Sequence, residues 1–573
     1  MTALRSGAGS VLDLLDEGVR RFPNRVGYTF TEGESSNDDV TFADVRAGAL
    51  TVAAAIAGEA RELSRIVLGY PSGRRYLEAT FGCLYAGVTP VSGHVPEFGR
   101  AGTAVDGLVR TARATGSQAV LVGPRLAHIG LSAAPDLTWI VVDDGEPSPL
   151  EPSGQEPEFA YVQATSGSTA AQRGVALTGQ NLIANLEVQC ELYPVTDSPV
   201  CVSWLPMSHD MGFVGPLLQP LYAETRSVFL TPLRFVMEPA CWLRTIARFG
   251  ARISGCPNFG YDHVLRRVSA ADLPTLDLSS WSCAISGGEP IKPDTLDRFA
   301  HAFAYAGFDP TAFTAGYGLA EATSVVTAVE PNSSARARTF EREDLQAGCA
   351  VPSRDRDGRR LIGHGWVAAG HEVVIVDPQV REPLPPGRIG EIWVSGPAVA
   401  ERYIEGSDEE NAVFAAILAN GEGPYLRTGD DGFHFDGELF VTGRRKELIL
   451  VRGINHAPQD IEATVRESSD LLDDCRVAVS DLSTETEEDA VLVAVEVDDP
   501  IDEESFDALV DRIQEAVIEQ HGIRVSDIAV LPTGGIPVTT SGKIRRRELA
   551  RRYVTGEAQS TAIGIRQYAA DPA

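Results

Sequence analysis

Continuous apolar runs alternate with amphipathic stretches through the first third of the chain. Residues 41–57 (TFADVRAGALTVAAAIA) open at Thr41 and repeat apolar side chains at helical spacing, which predicts a capped helix. RIVLGYP, from Arg65 to Pro71, predicts a buried strand, and RRYLEATFGCLYAG predicts a helix stopped by Gly87. QAVLVG from Gln118 and WIVVDD from Trp139 predict two more strands. Strands that are apolar on both faces and separated by helices imply a parallel or mixed sheet covered by helices. The last part has another rhythm. Residues 475–481 and 490–498 read as neighbouring strands, 506–522 as an amphipathic helix and 527–532 as a third strand. That is a compact α+β unit of common domain size, with its boundary near 443–453. The acidic stretch 483–490 reads as a solvated connection.

Charge narrows the function classes. Among 573 residues, 49 Lys+Arg face 80 Asp+Glu, a formal net charge of −31. Such acidity argues against sequence-independent binding to nucleic acid or anionic membrane. No run of eighteen apolar residues predicts a membrane span, and the N-terminus shows no apolar segment of a secretory signal. The eight cysteines are scattered without a CxxC pair, so no zinc or redox motif is expected, and the reading is a reducing cytoplasm.

The sharpest local signal is Thr165, Ser166, Gly167, Ser168 and Thr169, followed by Ala170-Ala171-Gln172-Arg173-Gly174. A loop of hydroxyls and glycine offers N–H and O–H donors that suit phosphate oxygens, and Arg173 could add a positive charge. It is not a GxxxxGK[ST] loop, and the plain alternative is a polar surface turn. Other strings follow in order. They are Trp204-Leu205-Pro206-Met207-Ser208-His209-Asp210-Met211-Gly212, Pro257-Asn258-Phe259-Gly260-Tyr261-Asp262 and Ser286-Gly287-Gly288-Glu289-Pro290. Then come Tyr317-Gly318-Leu319-Ala320-Glu321-Ala322-Thr323, Arg427-Thr428-Gly429-Asp430 and Gly443-Arg444-Arg445-Lys446. Asn455-His456-Ala457-Pro458-Gln459-Asp460-Ile461-Glu462 and Ser541-Gly542-Lys543-Ile544 complete the set.

This ordered set resembles the adenylate-forming superfamily of acyl-CoA synthetases, peptide-synthetase adenylation domains and luciferases, and within it the fatty acyl-AMP ligases. The resemblance runs from about residue 12 to about residue 553. It implies an α/β protein with a large N-terminal domain of mixed sheets covered by helices (residues 1–444) and a small mobile α+β C-terminal domain (residues 445–573). The activity implied is attack of a carboxylate on the α-phosphate of ATP, giving acyl-AMP and pyrophosphate. Acyl transfer to a carrier protein's phosphopantetheine thiol would follow. ATP and Mg²⁺ are the implied cofactors, and a carboxylic acid and an acyl carrier protein the partners.

By the same resemblance, Thr165 to Thr169 would hold the β- and γ-phosphates. Gly287, Gly288 and Glu289 would wall the adenine, with Gly318 beside them and Tyr317 stacked on the base. Glu321 would bind Mg²⁺, Asp430 would accept the ribose hydroxyls, and Arg444 would contact ribose or phosphate. Ser208, His209, Asn258, Gly260 and Ser286 would line the acid pocket, with His209 at its mouth. Lys543 would bridge carboxylate and α-phosphate, delivered by rotation of the small domain about Lys446. Each has a plain alternative: Glu321 a surface carboxylate, Asp430 a turn residue, Tyr317 a core aromatic, His209 a histidine packed beside Trp204, Lys543 a solvated lysine.

Three departures bear on the substrate. The superfamily's Gly-x-Pro-Lys-Gly is replaced by Ala170-Ala171-Gln172-Arg173-Gly174, an expected aromatic before His209 is Ser208, and an expected Cys-Gly is His364-Gly365. Ser208 and His364 leave room for a wider or more polar acid pocket, and for an aromatic or functionalised acid. Other readings are coenzyme A as acceptor, a relative activating an oxyanion such as nitrite, and an ATP-binding protein without turnover. The subfamily's insertion falls within 340–362, a polar, arginine-rich stretch. Its presence and the NH–PQDIE wording favour a carrier. No Asp-Ser-Leu attachment site for a carrier arm is evident. The arginines Arg545, Arg546, Arg547, Arg551 and Arg552 have two readings: a docking face for an acidic carrier, or partners for this chain's own carboxylates.

Overall fold

The computed structural model describes residues 9–33, 36–59, 62–97, 100–142, 156–165, 172–193, 199–269, 274–330, 333, 335–354, 358–451, 454–472, 475–482, 490–498, 501–539 and 543–568. The first predicted helix forms as Phe42–Ala57. Thr41 Oγ1 accepts from the Asp44 N–H, and the Asp44 carboxylate accepts from the Thr41 N–H, a reciprocal cap. Strand Arg65–Gly69 buries Ile66, Val67 and Leu68 completely, because it pairs in parallel with Thr89–Ser92 on one side and Ala119–Val122 on the other. Helix Arg74–Tyr85 ends just before Gly87, whose φ of 73° is the left-handed turn the sequence required.

Those strands are the centre of a seven-stranded sheet. Its order is Tyr403–Ile404, Arg173–Leu177, Tyr161–Thr165, Thr89–Ser92, Arg65–Gly69, Ala119–Val122 and Thr138–Val141, with the first two antiparallel to their neighbours. A nine-stranded sheet lies beyond it. Its order is Trp366–Val367, Val325–Ala328, Phe313–Gly318, Cys283–Gly287, Ile253–Cys256, Val200–Ser203, Arg226–Phe229, Val26–Thr31 and Asn37–Thr41. It too is parallel in the middle and antiparallel at its edges. One core draws on both sheets and on the helices between them, with Tyr161 stacked on Phe213 at 3.8 Å. Helix Gly179–Leu192 follows strand Arg173–Leu177. The cap is Thr178, and Asn181 is its reciprocal partner.

A five-stranded antiparallel sheet, unread in the sequence, carries Leu426–Phe435 and Glu438–Arg444 at one edge. The C-terminal unit then forms as expected. Strands Val477–Asp481 and Val491–Val497 are antiparallel, and Asp527–Pro532 adds in parallel beside helix Glu503–His521. A fourth strand, Gly564–Gln567, closes the sheet. Two apolar cores are built wholly from residues beyond 448, the unit's own interior. Where the sequence placed an insertion, strands Ala337–Phe340 and Arg359–Ile362 pair antiparallel, with helix Arg342–Gln346 between them in the chain. None of the eight cysteines is in a disulfide, and among the described residues no helix is long and apolar enough to cross a membrane.

Candidate active site

Parallel pairing sets Ser286 beside Ala315 and Gly287 beside Gly316. The turn Gly287-Gly288-Glu289 and the pair Tyr317-Gly318 therefore emerge at the same carboxyl end of the sheet, the usual ligand edge of such sheets. Gly288 has φ of 77°, and a Cβ there would stand 2.9 Å from Met211 Sδ. At Gly318 a Cβ would run into the Ser324 carbonyl. The third component comes from the edge hairpin, where Asp430 pairs with Arg444. Tyr317 Oη donates to Asp430 Oδ2 at 2.8 Å, and Arg444 Nε donates to Oδ1 at 3.2 Å. Burial raises the Asp430 pKa, while Arg444 and the Tyr317 hydroxyl pull it back. Asp430 in turn lifts Arg444 above the usual arginine range. His364 lies at this wall, its ring edge-on to Tyr317 at 6.4 Å. Burial pushes its imidazole down to about 4. His364 thus belongs with the wall that holds Tyr317.

His209 and Asp210 stand nearby, with Nδ1 2.6 Å from Oδ1. Burial works to raise Asp210, but His209 and the Lys543 charge outweigh it and hold the carboxyl down to about 2. The Glu289 carboxylate accepts from the Phe259 N–H at 2.6 Å. Burial raises its pKa, and that hydrogen bond and Lys543 oppose the rise. The Lys543 charge thus acts on two carboxylates from distant parts of the chain. The Lys543 N–H donates to Thr539 Oγ1, and the Thr539 N–H donates to the Lys543 carbonyl. Ser541 and Gly542 lie outside the described residues. Sequence reasoning missed Asp210 as a partner, although its adjacency to His209 was the available signal.

An apolar cavity opens behind Met211, lined by Gln189, Tyr193, Val202, Met211, Gln219 and Ile285 among others. Ser208, Asn258, Gly260 and Ser286 are not among its lining residues. The Ser208 carbonyl accepts from Gln163 Nε2 at 2.7 Å. Asn258, almost fully buried, bonds Asp262, Thr295 and the Lys292 N–H, and so ties helix Asn258–Arg267 to its neighbour. Gly260 packs where a Cβ would be 2.5 Å from Cys256 Sγ. Ser286 is fully buried with an unpartnered hydroxyl. Trp204 stacks on Phe235 at 3.7 Å, so it is Asp210, not Trp204, that holds His209.

Thr165 ends strand Tyr161–Thr165 opposite Arg173, and its hydroxyl donates to the Arg173 carbonyl. Ser166, Gly167, Ser168 and Thr169 lie outside the described residues. Arg173 Nε sits 2.9 Å from Glu410 Oε1, and its guanidinium lies over the Tyr403 ring at 5.1 Å. Its charge is shared with a carboxylate. Tyr403 Oη donates to Glu321 Oε1 at 2.7 Å, orienting that carboxylate toward the same corner.

The C-terminal arginines resolve in favour of internal pairing at the position that matters most. Arg546 is buried between Glu447 and Glu462 at 2.9 Å from each, and so is no docking residue. Arg551 and Arg552 pair with Glu548, and Arg547 Nη2 donates to the Lys446 carbonyl. Arg445 binds Asp431 through Nε and Nη2. In the insertion, Arg359 pairs with Asp460 of the C-terminal unit at 2.8 Å, while Arg360 pairs with Asp294 and Asp297. A polar cavity lies where these parts meet, lined by Arg342, Arg359, Arg445, His456, Asp460 and His521. Burial, helped by Arg342, His456 and Arg359, pushes His521 down to about 4.

Comparison with known proteins agrees with this geometry. Residues 15–404 match the AMP-binding enzyme family, and residues 446–563 match the AMP domain of the Disco-interacting protein 2-like family. The medium-chain-fatty-acid–[acyl-carrier-protein] ligase JamA of Moorena producens (strain JHB) is 34% identical over 96% of this chain and 95% of its own. The 4-hydroxyphenylalkanoate adenylyltransferase of Mycobacterium tuberculosis is 35% identical over 96% of this chain and 92% of its own. The crystal structure of a fatty acyl-adenylate ligase from L. pneumophila, in complex with acyl adenylate and pyrophosphate, superposes with a TM-score of 0.75. It has 32% identity and covers 99% of both chains. With a family match over most of its length and relatives this similar end to end, the chain belongs to the AMP-binding enzymes, as an adenylate-forming ligase of the fatty acyl-AMP ligase group.

Proposed function

We propose that this ligase activates a fatty or related carboxylic acid as acyl-AMP and then passes the acyl group to the phosphopantetheine thiol of an acyl carrier protein. The observation that carries the reading is the wall in which Tyr317 and Arg444 both bind Asp430, with the Lys543 charge acting on Asp210 and Glu289. In the first half-reaction a carboxylate oxygen attacks the α-phosphorus of ATP, and the bond to the bridging oxygen breaks to release pyrophosphate. Lys543 neutralises the charge that gathers between carboxylate and α-phosphate, a positioned electrostatic contribution. Asp430, its oxygens fixed by Tyr317 and Arg444, accepts the ribose hydroxyls. Gly287, Gly288 and Glu289 leave room for the adenine, with Tyr317 against it and Gly318 beside it. His209, held by Asp210, stands at the acid end, and Thr165 to Thr169 receive the outer phosphates.

Glu321 is the metal residue in this reading. Among the described residues no cluster of three metal-binding side chains occurs. A single oriented carboxylate fits Mg²⁺, which is commonly held by one or two carboxylates together with substrate phosphates. When bound, the metal neutralises phosphate charge. The two-domain division at 444/445 and a turn at Lys446 between half-reactions are supported by the separate C-terminal cores and by family matches that part between residues 404 and 446. A carrier protein as acceptor is favoured by what JamA acts on.

The test is pyrophosphate release across fatty, aryl and amino acids, with product mass spectrometry, followed by acyl transfer to a carrier protein or to coenzyme A. Acyl-AMP from at least one acid and a thioester on the carrier are expected. No adenylate from any acid would overturn the activation, and efficient transfer to coenzyme A alone would overturn the carrier.

A further inference from the structure

The acid cavity has a polar far end. Its near end is Met211, one residue from the His209–Asp210 pair and in contact range of Gly288. From there the helical stretch runs eight residues on to Gln219, about 10–12 Å along the axis, the reach of a medium-chain acid. Val202, Leu205 and Ile285 line the way with carbon. Gln219 then presents a carboxamide. It is 8% exposed, its Nε2 donates to Cys190 Sγ, and its Oε1 is buried without a hydrogen-bond partner. Gln189 and Tyr193 also line the cavity, as do Ser203, Thr225, Ser254 and Ser324, and Gln189 is anchored through Nε2 to Asn185 Oδ1.

We propose that the acid this ligase activates is a medium-length acid with a hydroxyl at its distal end, aliphatic or phenolic, which hydrogen-bonds the Gln219 carboxamide. The inference rests on the activation reading above and names its substrate class. A methyl-ended chain seated against Gln219 leaves a buried acceptor unmet, and leaving such a group unmet is costly. A hydroxyl both donates and accepts, so it can meet the amide through either of its ends.

The experiment measures kcat/KM for pyrophosphate release with matched acids. The pairs are octanoic with 8-hydroxyoctanoic acid, and 4-phenylbutanoic with 4-(4-hydroxyphenyl)butanoic acid. The hydroxylated member of at least one pair is expected to lead by about tenfold or more. Gln219→Met should collapse that ratio toward one, a change that a general loss of stability would not produce because both acids report on the same protein. Equal kcat/KM within both pairs for the unaltered enzyme overturns the inference while leaving acid activation standing. So does a ratio that survives Gln219→Met. Absence of turnover with every acid removes the activation reading and this inference together.

Discussion

The two sides of this active site are made differently. The nucleotide side is a small set of charged and aromatic groups locked to one another, with Tyr317 and Arg444 both bound to Asp430 and a glycine turn held open beside them. The acid side, in the proposed reading, is a cavity whose walls come from several strands and helices. A nucleotide is the same for every member of the family, so its side can be rigid and charged. An acid differs from member to member, so its side is shaped by packing. In the proposed reading Lys543 serves both sides, its charge acting on Asp210 and Glu289.

That contrast can be broken by mutation. Lys543→Ala should lower adenylate formation by about 10²–10³, the usual cost of a lost electrostatic partner. The factor should be the same for every acid, and nucleotide binding by titration calorimetry should persist. A loss confined to some acids would make Lys543 part of the acid side alone. Asp430→Asn removes the charge that Arg444 pairs with. Hydrogen bonds to charged groups contribute about 1.5–3 kcal/mol, so the KM for ATP should rise by about ten- to a hundredfold with the order of acid preference unchanged. On the other side, Gly215→Ala sets a Cβ 3.0 Å from Gln189 Oε1 in the cavity wall. Overpacking of that kind costs about 1 kcal/mol or more, so acid KM should rise about fivefold while ATP KM stays put.

The smallest effect is on pH. His364 at the nucleotide wall and His521 beside the insertion both titrate near 4 in the folded protein. The unfolded chain takes up protons near 6.5, so stability is full above that pH and declines as pH falls toward 4. Melting temperatures between pH 7 and 4.5 should trace this decline, and His521→Gln should flatten part of it. ATP KM should climb before acid preference shifts, because no histidine lines the acid cavity among the described residues.

The same contrast explains what could be read in advance. Gly287, Tyr317, Asp430 and Arg444 lie in short strings, because local backbone shape and one side chain per string do the chemistry. The alternation of apolar strands and capped helices announced the sheets, and the C-terminal unit was legible almost strand by strand. Gln189, Tyr193 and Gln219 belong to no string. They meet only because helix Gly179–Leu192 packs against the stretch from Val214 to Ala223, a long-range fact with no local mark. Of the four pocket residues read from motifs, Ser208 and Asn258 make hydrogen bonds and Gly260 and Ser286 are tightly packed, and none is among the residues lining the cavity behind Met211. The Arg546 face failed for a related reason. An arginine run looks solvated until the fold brings Glu447 and Glu462 to it.

The Arg546 pair has one more consequence, at the proposed swivel. Arg444 and Arg445 are moored to Asp430 and Asp431 on the large body, whereas Glu447 is moored through Arg546 to the C-terminal helix. Arg547 also grips the Lys446 carbonyl from the C-terminal side. The proposed swivel residue thus sits between two anchors, Arg445 to Asp431 before it and Glu447 to Arg546 after it, so that the carboxylates at either end, rather than a free linker, would set how far it could turn.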